Sequence, residues 1–213
     1  MMESFTNYSI KIELADPALM PSQASPDSAG YDLRAKEDYF IAPGQTLFVG
    51  TGVKLALPSH FEAQVRPRSG LSAKSRLRLS NSPGTIDADY RDEVKIIMHN
   101  AFSQSELPDL IASSSPLLDR FGPIGQELTL LAYLESQGQD LDRLRSHYPA
   151  KILERPVYLN QEGQLWGTEH ILRYERIGQL VCQALAPIDF VLVPDVKAFG
   201  SDRGGGFGHS GRL

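Results

Sequence analysis

Asp87 and Asp89 sit two positions apart in the run Asn81-Ser82-Pro83-Gly84-Thr85-Ile86-Asp87-Ala88-Asp89-Tyr90-Arg91. In an extended segment both carboxylates face the same side. A carboxylate ionised at neutral pH can orient a water molecule and take its proton, which makes Asp87 a candidate general base. Asp89 has a plainer use, pairing with Arg91 or another basic side chain. Three more glycine-flanked polar clusters accompany this one: Ala29-Gly30-Tyr31-Asp32-Leu33-Arg34-Ala35, Arg66-Pro67-Arg68-Ser69-Gly70-Leu71-Ser72, and a tail from Arg203 through Phe207 to Gly211. Arg68 can hold phosphate oxygens bidentately, while Ser69 and the backbone amides near Gly70 add neutral donors. Asp32 suits the water shell of a phosphate-bound Mg2+, an ion that keeps several of its waters. Its bland alternative is to bond amides in its own turn. The tail has the composition of a flap, with glycines that let backbone approach a ligand and with Arg203, Phe207 and Ser210 among them. Each cluster alone reads as a tight turn. Together they describe a phosphate-handling site.

Short strands must position these residues. Residues 8–14 alternate apolar and polar, and similar runs recur at 39–41, 46–49, 53–57 and 61–66, then at 177–186 and 190–193. Runs this short, with turn signals every eight to twelve residues, predict a sandwich or barrel. Lys74, Arg76 and Arg78 beside Leu77 and Leu79 could be a nucleic-acid patch, but alternating charge reads first as a solvated strand face.

The composition narrows the function classes. The chain has 213 residues, 21 Lys+Arg against 26 Asp+Glu, and a net charge of -5. That balance argues against a dedicated nucleic-acid binder. A single cysteine, Cys182 in an apolar run, excludes an intrachain disulfide framework and a thiolate-rich metal site. No stretch approaches the ~20 apolar residues of a membrane span, and the N-terminus lacks the pattern of a signal peptide. A soluble, cytoplasmic protein is expected.

Residues 103–170 have a different texture. Residues 101–172 carry five Lys+Arg and ten Asp+Glu, leaving sixteen of each elsewhere, so this segment accounts for the whole net charge. Ile124, Leu128, Leu131 and Leu134 keep helical spacing and predict a helix. Asp140 can N-cap a short helix through Leu141, Leu144 and Tyr148. Residues 157–166, with Asn160 to Gly163 between two apolar triplets, predict a hairpin. Trp166 is expected in a local core. The segment reads as an acidic insertion.

The clusters, in this order, closely resemble the motifs of the trimeric dUTP pyrophosphatases (dUTPases). AGYDLRA, RPRSGLSAK, NSPGTIDADYR, the stretch Tyr174 to Val181, and RGGGFGHSG match the five motifs in turn. The resemblance covers roughly residues 8–101 and 173–213. It implies an all-β, distorted jelly-roll β-barrel, here one domain over 1–213 with the 103–170 insertion and a flexible arm over 199–213. It also implies a homotrimer whose active sites draw on several subunits, and Mg2+-assisted hydrolysis of dUTP to dUMP and pyrophosphate. By the same resemblance Asp87 activates the water that attacks the α-phosphorus. Tyr90 packs under the deoxyribose. Asn81, with the backbone of Thr85 and Ile86, reads the uracil edge. Lys95 lines the pocket. Arg68, Ser69, Gly70 and Gln179 are phosphate ligands, and Asp32 is linked to magnesium through water. Arg203 and Phe207 belong to the mobile arm.

Some positions depart from the family pattern. Asp92 stands where glycine is usual, which matters if that position needs a positive φ. Gly178 replaces alanine, a change expected to be small. The arm has one residue fewer between Arg203 and Phe207. Asp87 and Arg176 lie 89 positions apart, whereas two strands and a hairpin loop need roughly 15 to 30, so about sixty residues are extra. Such a segment could cover the site, extend the subunit interface, or bind a protein partner. Two rival functions remain: a regulatory protein that binds its partner through the insertion, and an enzyme related to the dCTP deaminases.

Overall fold

The structure is a computed structural model that describes residues 8–201. Arg203 and Phe207, with most of the expected arm, lie outside the described residues. In chain order the elements are β1 (Lys11–Leu14), β2 (Tyr31–Arg34), β3 (Tyr39–Ile41), β4 (Thr46–Gly50), β5 (Val53–Ala56) and β6 (Phe61–Arg66). Helix α1 (Ser69–Lys74) precedes β7 (Leu77–Leu79), β8 (Gly84–Ile86) and β9 (Lys95–Asn100). The insertion holds α2 (Leu107–Ala112), α3 (Leu117–Phe121), β10 (Gln126–Thr129), α4 (Leu130–Ser136), α5 (Leu141–His147), α6 (Ala150–Leu153) and β11 (Pro156–Leu159). The chain closes with β12 (Glu169–Ile171) and the nine-residue β13 (Arg176–Ala184).

The strands pair only with antiparallel neighbours. One sheet runs β2-β13-β6-β8, a second β4-β9-β7, and β1–β5, β3–β12 and β10–β11 form two-stranded pieces. The result is an all-β, jelly-roll-like fold whose sheets face one another without closing into one hydrogen-bonded barrel. The alternation seen in sequence is what folds: Val53 and Leu55 on β5, and Ala63 and Val65 on β6, are buried while their neighbours Lys54 and Gln64 are not. These residues join Leu33, Ile41, Val49, Ile96, Met98 and Ile177 in the main core.

The insertion has its own small core of Phe102, Leu107, Leu110 and Trp166. Trp166 packs edge-on against Phe102 and Phe121, with ring centroids 5.6 and 5.3 Å apart, and its indole N–H donates to the Gly122 carbonyl at 2.9 Å. Gly167, at φ +96°, allows this approach, because a Cβ there would overlap the Phe102 ring. The helix expected from Asp140 is present, with the Asp140 carboxylate accepting from the Asp142 and Arg143 amides. The turn at Asn160–Gly163 is present too, closed by Asn160 N–H to Gln164 O at 2.8 Å.

Three expectations are corrected. The helix predicted across Ile124 to Leu134 is in part strand: residues 126–129 form β10 against β11, and the helix starts only at Leu130, where Thr129 caps it. Residues 190–193 form no strand; Phe190 is 96% and Leu192 99% exposed, since no described strand lies beside them. The Arg68–Ser72 cluster, read as a turn, opens helix α1. Arg76 and Arg78 do not form a cationic stripe, because Arg76 pairs with Glu106 at 2.7 Å and Arg78 bonds the Ser75 and Leu77 carbonyls. No helix among the described residues is long and apolar enough to cross a membrane.

Candidate active site

The phosphate-type residues meet where β2, β13 and the start of α1 converge. Asp32 lies opposite Gln179 on β13, which in turn lies opposite Arg66 on β6. Arg68 immediately precedes α1 and turns its guanidinium back onto Asp32, 2.8 Å from Nε to Oδ1. Arg176 approaches the other carboxylate oxygen at 3.3 Å. Asp32 is 5% exposed, so its charge is held by two arginines rather than by water. Gly30 leaves room for Gln179; a Cβ there would come within 3.2 Å of that side chain. Ser69 and Gly70 are exposed on the first turn of α1, and nothing lies within 4 Å of where a Gly70 Cβ would point. A cavity of about 370 Å³ opens here, bounded by Arg68, Gly70, Lys74, Arg120, Glu175 and Arg176.

A second cavity, of about 180 Å³, gathers Asn81, Thr85, Ile86, Tyr90 and Lys95. Strand β8 places it: Gly84, Thr85 and Ile86 face Val65, Gln64 and Ala63 on β6. The loop after β8 folds tightly, with the Tyr90 amide donating to the Asp87 carbonyl at 3.1 Å and the Tyr90 hydroxyl to the Glu93 carbonyl at 2.9 Å. Arg91 donates to the Ala88 and Tyr90 carbonyls, so it braces the loop backbone rather than pairing with Asp89. Asp87 is exposed, and no described basic side chain forms an ion pair with it. Asp92 is not among the residues with positive φ, so aspartate fits there without strain.

Glu93 anchors this loop to the sheets. Partial burial pushes its carboxyl up, but the Gly52 amide at 2.8 Å and the Lys36 ammonium at 3.0 Å outweigh that and hold it below the usual carboxylate range. Tyr39 beside it is pushed up to about 12, chiefly by burial. Burial likewise raises the Cys182 thiol, as a strand cysteine in an apolar setting should behave.

The two cavities are separate within one chain. Asp32 and Ile86 stand three strands apart and three residues out of register, which is about 17 Å at ordinary strand spacings. Phosphate-type residues therefore collect at one end and the hairpin residues at the other. Sequence reasoning missed Arg176, which shares Asp32, and Arg120 and Glu93, whose partners are 49 and 57 positions away. Among the described residues no group of three or more His, Cys, Asp or Glu could hold a metal ion. Asp32, expected to meet magnesium through water, has its two oxygens on the Arg68 and Arg176 guanidinium groups.

Comparison with known proteins bears on the motifs and the fold. The dUTPase family model matches residues 16–106. The deoxyuridine 5'-triphosphate nucleotidohydrolase of Clostridium tetani is 46% identical over 96 residues, covering 45% of this chain and 66% of its own length. That of Clostridium acetobutylicum is 48% identical over 94 residues, covering 44% and 64%. The chain thus spans just under two thirds of the curated relatives it matches. The dUTPase of Staphylococcus bacteriophage 80alpha, solved with dUPNHPP, superposes with a TM-score of 0.65 at 22% identity, covering 97% of this chain and all of the other, so the likeness of fold extends into the insertion. The dUTPase of phage phi11 of S. aureus, solved for its species-specific insert, gives a TM-score of 0.60 at 19% identity over 90% of this chain and 100% of that one. The core of the chain, residues 16–106, is thus similar to the dUTPase family, and the chain shares the fold of the phage dUTPases.

Proposed function

We propose that the chain hydrolyses dUTP to dUMP and pyrophosphate. The observation that carries this reading is an exposed Asp87 next in the chain after Ile86, which lines a small cavity with Asn81, Thr85, Tyr90 and Lys95. Asp87 takes the proton of a water that attacks the α-phosphorus, and pyrophosphate leaves. Asn81 and the backbone of Thr85 and Ile86 read the uracil edge. Tyr90, its hydroxyl tied to the Glu93 backbone, presents its ring to the deoxyribose and leaves no room for a 2′-hydroxyl. Such specificity comes from shape and from polar groups that a wrong base would leave unpaired. Arg68, Ser69, Gly70 and Gln179 hold phosphates, and Arg203 and Phe207 close over the nucleotide. Magnesium, implied by the family, is taken to arrive on the substrate's phosphates and to meet Asp32 through water.

A homotrimer is part of the same reading. The separation of the two cavities supports sites completed between copies, and so does the segment from Ile188 to Leu192, whose apolar side chains are 72% to 99% exposed and need a partner surface. We read the chain as one domain with residues 103–170 inserted, working in the cytoplasm. The test is pyrophosphate release from dUTP, dTTP, dCTP and UTP. Release from dUTP alone is expected; ammonia release from dCTP without pyrophosphate would favour the deaminase relatives instead.

A second reading has its own observation. The insertion carries a groove of about 680 Å³ lined by Leu107, Ile111, Leu130, Val157 and Tyr158 among others, and Ile111 is 59% exposed. The groove supports a protein partner bound through the insertion. Ile111→Asp should then abolish that binding and leave dUTP turnover intact.

A further inference from the structure

The cavity beside Asp32 is not built from the matched motifs alone. Arg120 belongs to α3 of the insertion, yet it lines this cavity together with Arg68, Lys74 and Arg176. It is pinned there: Nε donates to one oxygen of Glu169 at 2.7 Å, and a terminal nitrogen lies 2.6 Å from the same oxygen in an ion pair. Glu169 is 1% exposed, and its other oxygen accepts the Arg76 backbone amide at 3.0 Å. A guanidinium has five N–H donors in a fixed fork, so an arginine held in this way keeps donors to spare. Its side chain remains 33% exposed. Lys74, opposite, makes no ion pair with any described residue.

We infer that Arg120 is a phosphate-binding residue, an arginine of the insertion that contacts the polyphosphate of the substrate or the departing pyrophosphate. The inference rests on the phosphate-hydrolysing function proposed above and adds a ligand that the five motifs do not contain. The physical case is pre-organisation. The buried Glu169 fixes the guanidinium before the anion arrives, so little side-chain freedom is lost on binding, and charge-assisted bonds from arginine to phosphate are among the stronger polar contacts. Glu106, at 2.7 Å from the Arg76 guanidinium, ties the segment just after α1 to the insertion.

Removing Arg120 alone would strand a buried carboxylate, so the test compares Glu169→Gln with the double variant Arg120→Gln/Glu169→Gln. Both lack the buried charge; only the first keeps the cation. Pyrophosphate affinity is measured for each by titration calorimetry. The double variant is expected to bind about tenfold more weakly, the loss of one charge-assisted contact. Equal affinities would overturn the inference. Adding Arg143→Gln, on exposed α5, to the Glu169→Gln background removes the same charge away from the cavity and should change affinity less than about twofold; a tenfold loss there would reduce the effect to net charge and overturn the inference as well. Wild-type turnover of dUTP is followed alongside. A wild type that binds pyrophosphate through Arg120 but leaves dUTP intact would uphold this inference while removing the proposed substrate.

Discussion

Asn100 and Gly167 are joined by a 2.8 Å hydrogen bond although 67 positions separate them. Asn100 is fully buried at the end of β9, where the insertion departs. Its amide also donates to the Ile41 carbonyl at 2.9 Å, and its side-chain oxygen accepts the Phe102 amide at 3.0 Å. One side chain thus ties the β-sheet body to both ends of the insertion.

Asn100→Leu removes all three bonds and strands buried backbone groups. We expect a loss of about 3 kcal/mol, with a melting temperature lower by roughly 6–12 °C. The chain's one tryptophan, Trp166, is buried in the insertion core, so its fluorescence should shift to the red in this variant. Unchanged melting and emission would contradict the role given to Asn100.

Gly178 is less replaceable than its chemistry suggests. The sequence alone makes glycine for alanine a minor change, but a Cβ there would sit 2.7 Å from Cδ1 of Ile96, at an irregularity in the β13–β2 pairing. Gly178→Ala should cost about 1–2 kcal/mol through overpacking. Gly178→Ala combined with Ile96→Val, which shortens the opposing side chain, should recover part of that in the same denaturation experiment.

How much could be read in advance depends on how local the cause is. The Asp140 cap and the Asn160 turn satisfy backbone groups two to four residues away, and both were legible. Residues 126–129 were not, because Leu128 fits helical spacing equally well, and only β11, some thirty positions on, makes the segment a strand. The five motifs are each contiguous, so the residues expected to bear chemistry could be named from the sequence directly. Their division into two cavities follows from the pairing of β2, β13, β6 and β8, which no single segment encodes. Arg120 carries no local signal; its role depends on a carboxylate 49 positions away.

Glu93 sets an acid limit. Its folded carboxyl lies below the ordinary value of 4.5, so its contribution is present above that pH and is lost as pH falls through the folded value. Glu93→Gln should cost up to about 1 kcal/mol near pH 7, and the difference from wild type should shrink as pH drops below about 4.5. Denaturant titrations across that range check the sign: a difference that grows on acidification would contradict it.

The central claim is that Asp87 activates the attacking water, and the most direct measurement is steady-state pyrophosphate release from dUTP by Asp87→Asn, with affinity for a non-hydrolysable dUTP analogue measured in parallel. The account predicts a kcat lower by roughly 10²- to 10⁴-fold with analogue affinity within about threefold of wild type, because asparagine keeps the shape of the site and loses the base. Turnover by Asp87→Asn within tenfold of wild type would contradict it.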